Sequence, residues 1–171
     1  MDATIGKFID SVSDFFSGAA STSADQFPLC DTDIISGCEK EYAEVQKGQD
    51  EGLKKECIMR LSWALVHSKM PVDIQRGIAM LEASVVNDTS PMKLREKLYL
   101  LAVGYYRSSD FSRSRECIER CLEVEPEWRQ AQALKQAIED RIVKDGVIGV
   151  GIAVTAVGVV AGIAAALIRR G

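Results

Sequence analysis

At 171 residues, 47% of them apolar and 27% charged, the chain has room for one domain with a real core but not for two comfortable ones. Its formal net charge is -4, and without Arg169 and Arg170 the 21 basic residues become 19 against 25 acidic ones. That balance argues against a nucleic-acid binder and against a direct hold on anionic lipid.

The N-terminus, MDATIGKFIDSVSDFF, lacks the basic n-region and continuous apolar core of a secretory signal. Asp2, Asp10 and Asp14 also argue against a cleaved organelle transit peptide. Ile5, Phe8, Ile9, Val12, Phe15 and Phe16 recur at spacings of three and four, which predicts an amphipathic helical arm over 1–17. This arm either docks on the body, or covers a groove or contacts a partner or bilayer; its acidic polar face weakens the bilayer version. The small and polar run SGAASTSADQ opens a flexible linker over 18–30.

From Asp31 the periodicity is helical almost throughout, and a helical domain is expected over 31–143. Ile34, Ile35, Cys38 and Tyr42 form one stripe, ending near Gly48. Leu53, Cys57, Ile58, Leu61, Leu65 and Val66 form the next. Pro71 permits a restart, with Ile74, Ile78, Leu81 and Val85 in the stripe, closed by the turn from Asn87 to Pro91. Leu94, Leu98, Leu101, Ala102 and Tyr105 follow, then a tight turn at Ser108-Ser109-Asp110. Helices over Phe111 to Val124 and Trp128 to Ile142 complete the body, and strand-like alternation is absent. The expected fold is all-α, about six helices in antiparallel pairs with short connections, plus a C-terminal transmembrane helix.

The run from Gly146 to Ile168 contains no charged residue and, as a helix, would span about 34 Å against a hydrocarbon core of roughly 30 Å. Only the short basic tail 169–171 follows, which predicts a tail anchor inserted after translation, with everything upstream on the cytosolic side. Gly158 and Gly162 form a G-x-x-x-G continued in register by Ala166, a candidate face for homodimerisation in the bilayer. The alternative is that glycine and alanine merely lower the hydrophobicity.

Five cysteines, Cys30, Cys38, Cys57, Cys117 and Cys121, read as buried thiols in a reducing compartment. Cys117 and Cys121 share a helix face, but two ligands and a single histidine, His67, do not make a zinc site. No Walker loop, H-E-x-x-H or G-x-S-x-G is present, so neither an enzyme nor a cofactor is expected.

Two stretches repeat. LSWALVHS from Leu61 aligns with LAVGYYRS from Leu101, and QRGIAMLEAS from Gln75 aligns with SRSRECIERC from Ser112. The second copy, about 95–128, resembles a tetratricopeptide repeat. Leu98, Leu101, Ala102 and Tyr105 stand at its first-helix positions, Ser109-Asp110-Phe111 at its turn, and Ser114, Ile118 and Cys121 at its second-helix packing positions, before Pro126. The first copy, about 55–90, keeps the size pattern at Ser62, Gly77 and Leu81. Stacked hairpins of this kind curve into a superhelix with a concave, peptide-receiving face.

The whole layout resembles the mitochondrial fission 1 family, and KKECIMRLSWALVHSK, IQRGIAMLEAS, REKLYLLAVGYYRS and VKDGVIGVGI are similar to its plant form. The resemblance implies a non-catalytic adaptor in the mitochondrial outer membrane and on peroxisomes, facing the cytosol. Its implied partners are division adaptors and a dynamin-related GTPase. It further implies that the first helix of each hairpin lines the concave face, with Arg60, Trp63, His67, Tyr99, Tyr106 and Arg107 as exposed groove positions. Arg60 and Trp63 are equally consistent with a core-edge stem and a core aromatic; Tyr106 is expected to be more exposed than Tyr105, which takes the packing position. Two rivals stand beside this reading. One is a tail-anchored tetratricopeptide co-chaperone, for which the second repeat offers Arg95, Tyr99 and Arg107 but not the usual asparagines. The other is an organelle tether acting through homodimerisation.

Overall fold

Proline and aspartate set where several of the helices begin. Pro71 and Pro91 occupy first-turn positions, where a missing N–H costs nothing. Asp50 and Asp110 each accept a backbone N–H three residues on, from Leu53 at 3.0 Å and Arg113 at 3.1 Å. The computed structural model describes residues 27–86 and 90–146. In it α1 is Thr32–Gln46, α2 Glu51–Val66, α3 Pro71–Val85, α4 Pro91–Arg107 and α5 Phe111–Val124. A sixth helix, α6, starts at residue 129, and its helical backbone runs to 146. The chain divides into two units, Met1–Ile138 and Glu139–Gly171, and the core below belongs to the first.

Sequential helices pack on one another from α1 to α5, and α2 also touches α4. The first helices of the two hairpins are therefore neighbours, as in a tetratricopeptide stack. Because α2 and α4 are flanked by several elements, whole stretches of them are buried: Leu61 to Val66 in α2 and Leu98 to Tyr105 in α4. By contrast α5 buries only Ser114, Ile118 and Cys121, one stripe of an otherwise polar helix. In α6, Ala131, Leu134 and Ile138 are buried, again a single stripe at helical spacing.

Two close crossings hold the hairpins together. In the first, Gly77 lies so near α2 that a Cβ there would meet Leu65 Cβ and Val66 Cγ1 at 2.9 Å each. In the second, Ser114 takes the equivalent place and donates its hydroxyl to the Ala102 carbonyl at 2.7 Å. Tyr105 donates to Glu82, tying α4 to α3.

The stretch 18–30, expected as a flexible linker, ends in a packed segment. Cys30 is buried, its N–H donates to the His67 carbonyl at 2.9 Å, and it forms a parallel bridge with Ser68. The reason is local: Phe27-Pro28-Leu29-Cys30 is apolar, and the end of α2 has carbonyls to offer. All five cysteines are free thiols, Cys117 half-buried and the rest buried. Burial, with smaller contributions from Cys38 and Asp31, pushes Cys30 up to about 12.

Among the described residues no helix is long and apolar enough to cross a membrane. The expected arm over 1–17 and, apart from Gly146, the expected span over 146–168 lie outside the described residues, as do Gly158, Gly162 and Ala166.

Candidate functional site

Neighbouring first helices place their aromatic residues on a shared face. Trp63 and His67 are one turn apart on α2, and their rings stack at 4.1 Å between centroids. His67 ends that helix: its backbone N–H and its Nδ1 both lie against the Trp63 carbonyl, at 3.2 and 2.7 Å. A carbonyl can only accept, so Nδ1 carries the proton. Complete burial is the main influence on the ring, lowering its pKa from 6.5 to about 4; the Trp63 carbonyl opposes this and nearby Arg107 adds to it. The imidazole is neutral at physiological pH.

Phe27 comes edge-on to this pair, 6.4 Å from the His67 ring and 5.7 Å from Tyr106 of α4. Tyr106 in turn meets Phe111 edge-on at 5.6 Å. Further back on α4, Tyr99 lies 4.8 Å from Trp128, over which the Arg95 guanidinium sits at 4.5 Å. Arg95 also pairs with Glu125. Such edge-to-face and cation–π contacts each contribute about 1 kcal/mol beyond area burial. The rings form an aromatic platform whose accessible edge is the half-buried Phe27, Tyr106 and Phe111, with Trp63, His67, Tyr99 and Trp128 buried behind it. Among the described residues there is no group of three or more metal-ligating side chains.

Three expected groove residues are not exposed. Trp63, His67 and Tyr99 are 5%, 0% and 3% accessible, because stacking, helix capping and Trp128 enclose them. Arg60 is committed elsewhere: its guanidinium bonds Glu41 of α1 at 2.6 Å and lies 3.1 Å from the Cys57 sulfur, linking α1 to α2. Arg107 donates to the Val66 carbonyl and, at 2.7 Å, to that of Ser68, so it closes the end of α2. Burial lowers its pKa from the usual guanidinium value. Tyr106 is half-buried and Tyr105 buried, in the order expected. Of the six, Trp63, His67, Tyr99 and Tyr106 contribute rings to the platform, while Arg60 and Arg107 are structural ties.

Phe27, Phe111 and Trp128 belong to the platform and were absent from the expected set. For Phe27 the available signal is the apolar tetrad Phe27 to Cys30 directly before the Asp31 helix start, where a hydrophobic residue commonly packs back on the fold. Trp128, just after Pro126, carried a similar signal.

Paired hairpins with neighbouring first helices, an aromatic face and short capped turns define a tetratricopeptide-type recognition domain. Residues 56–88 match the Fis1 N-terminal tetratricopeptide repeat, and residues 95–147 match the Fis1 C-terminal tetratricopeptide repeat. The chain is 86% identical over 169 residues to mitochondrial fission 1 protein B of Arabidopsis thaliana, covering 99% of each, and 58% identical over 174 residues to mitochondrial fission 1 protein A of the same plant, again covering 99% of each. The chain belongs to the mitochondrial fission 1 protein family, and it is not an enzyme. In fold it is similar to the crystal structure of fission protein Fis1 from Saccharomyces cerevisiae, with a TM-score of 0.63 at 21% identity, covering 75% of this chain and 96% of that one. A crystal structure of yeast Fis1 in complex with an Mdv1 fragment, containing N-terminal extension and coiled-coil domains, gives 0.62 at 21% identity, covering 74% and 96%.

Proposed function

We propose that the chain is a tail-anchored adaptor in organelle division, which helps bring a dynamin-related GTPase to the mitochondrial outer membrane and to peroxisomes. The observation that carries this reading is membership of the fission 1 family throughout the chain's length, together with the half-buried rings of Phe27, Tyr106 and Phe111 at the accessible edge of the platform. An adaptor helix would bind there through its apolar side chains, as helix-in-groove recognition requires. The complex of yeast Fis1 with an Mdv1 fragment is in keeping with a partner of this kind. The uncharged run 146–168 supports a single membrane span with the helical body in the cytosol, and Gly158, Gly162 and Ala166 support close contact between two anchors.

The co-chaperone alternative loses support. It needs cations free to clamp a carboxylate, whereas Arg95 is held by Glu125 and Trp128, and Arg107 by two carbonyls.

Cells lacking the gene are expected to hold fewer, enlarged or elongated mitochondria and peroxisomes with less membrane-located dynamin-related protein. Tyr106→Ala, which alters the half-buried edge of the platform, should fail to restore either readout while still folding. Gly158→Leu should spare partner binding and reduce only what depends on anchor pairing. Normal organelles with normal GTPase recruitment in the null cells would overturn the division role and favour tethering through the anchor.

A further inference from the structure

One end of the described body gathers the close of α2, the start of α3, the close of α4 and the cap of α5. Arg107 joins two of these through its bonds to the Val66 and Ser68 carbonyls, and Asp110 caps α5 just beyond it. Three large apolar side chains stand exposed there. Leu29, beside the Cys30–Ser68 bridge, is 56% accessible, and Met70 and Val72, at the turn into α3, are 58% and 69% accessible. Charged groups beside them are paired: Lys69 with Asp31 at 3.6 Å, Arg76 with Asp73 at 3.3 Å and Arg113 with Asp110 at 2.8 Å. These residues therefore form no cluster of free cations that would favour an anionic surface. Exposure alone does not distinguish this end, since the opposite one exposes Val86 and Met92. The course of α6 does. Trp128 lies under the Arg95 guanidinium, near the start of α4, and Lys135 meets Glu119 at 3.7 Å, so α6 runs back along α5 from its end toward its start. By Ile138, buried in the same unit, the chain is heading for the end that carries Leu29, Met70 and Val72.

We propose that this end rests on the bilayer, with Leu29, Met70 and Val72 seated at the boundary between the headgroups and acyl chains of neutral, zwitterionic lipid. The occupant follows from where the chain goes next. From Ile138 to Gly146, where the uncharged run starts, the chain advances 146 − 138 = 8 residues, which span at most about 29 Å even fully extended. A patch held that close meets the membrane at high effective concentration, so a few apolar side chains suffice where a free domain would stay in solution. The inference rests on the membrane anchor proposed above, and it adds a defined face of the helical body to the contact.

The test places the full chain in phosphatidylcholine vesicles that contain a lipid brominated near the top of its acyl chains, with flotation to select membrane-bound protein. Trp63 and Trp128 are buried, so the parent supplies a nearly unquenched background. Val72→Trp should add emission that is blue-shifted and quenched roughly twofold, to the same extent in anionic vesicles and at high salt. Met92→Trp, at the opposite end, should be quenched no more than the parent. Adding Leu29→Ser and Met70→Ser to Val72→Trp should remove most of the quenching; both positions are exposed, so the fold is kept. Floating protein whose Val72→Trp emission is unquenched would overturn the proposal and leave the anchor standing. So would equal quenching of Met92→Trp, which marks a body with no preferred face. A blue shift without quenching would mean that another part of the chain or a second copy covers the patch, and overturns it too. Quenching that survives both serine substitutions would show the new indole inserting by itself, and quenching confined to anionic vesicles would assign the contact to charge; either overturns the proposal. Protein that fails to float would overturn the anchor and the proposal together.

Discussion

Arg107 grips two carbonyl oxygens at the end of a helix that precedes its own by one hairpin. Charge-assisted bonds to otherwise orphaned carbonyls are worth about 1.5–3 kcal/mol, so Arg107→Met should lower unfolding stability by roughly 2 kcal/mol in urea denaturation. Reversing its charge would likewise report on folding, since both bonds are to backbone carbonyls. His67 has a pH signature with a definite sign. The unfolded imidazole takes up a proton near 6.5 and the folded one only near 4. Between those values the unfolded state binds more protons, so stability is full above about 6.5 and falls as pH drops toward 4, by about 3 kcal/mol in all. His67→Gln keeps an amide donor for the Trp63 carbonyl and cannot titrate. Urea midpoints between pH 7 and 4.5 should therefore fall less steeply for the variant than for the parent; parallel slopes would show that His67 is not the group responsible. A lone histidine four residues from a tryptophan was visible in the sequence as a pair on one face. That the pair is enclosed was not, because burial depends on Phe27 and on Arg107, each about forty positions away in sequence.

Helix boundaries and turns were the most legible features, and two of them carry predictions. Ser109 sits in the left-handed region with φ of 61°, between Ser108 as the end of α4 and Asp110 as the cap of α5. Resemblance to the repeat placed Ser109 where that turn usually has glycine, and the backbone gives the reason. Ser109→Gly should raise stability by about 0.5–1 kcal/mol, read as a higher urea midpoint. Gly77 behaves oppositely. Alanine gains about 1 kcal/mol of helix propensity, but its Cβ would also meet the Val66 amide nitrogen at 3.0 Å, and backbone cannot move aside cheaply. A net loss of about 1–2 kcal/mol is expected for Gly77→Ala, visible as a thermal midpoint lower by several degrees. A rise in midpoint would mean that the hairpin opens at that crossing at little cost. The size pattern of small residues at 77 and 114 could be read from the repeat alone. Their different solutions, bare backbone contact at Gly77 and a hydroxyl bond at Ser114, follow from which residues lie opposite.

At the scale of the whole molecule, the segment Phe27 to Cys30 couples the N-terminal end of the described structure to the platform. Phe27→Ala removes the ring that touches both His67 and Tyr106, and should loosen the bond from the Cys30 amide to the His67 carbonyl. Hydrogen exchange at the Cys30 amide should then speed up by about tenfold, with α5 unaffected; an unchanged rate would show that backbone pairing alone holds the segment. What the sequence by itself determined was the all-α class, the order of the helices and their pairing into two hairpins. Those follow from apolar periodicity and from proline and aspartate at helix starts, signals that act within a few residues of where they stand. Only the tertiary structure decided which side chains stay accessible and which are enclosed. Arg60 turned to Glu41, and Arg107 to Val66 and Ser68. Each of these depends on the packing of elements far apart along the chain, and helical periodicity assigns a residue to a face without saying what covers it.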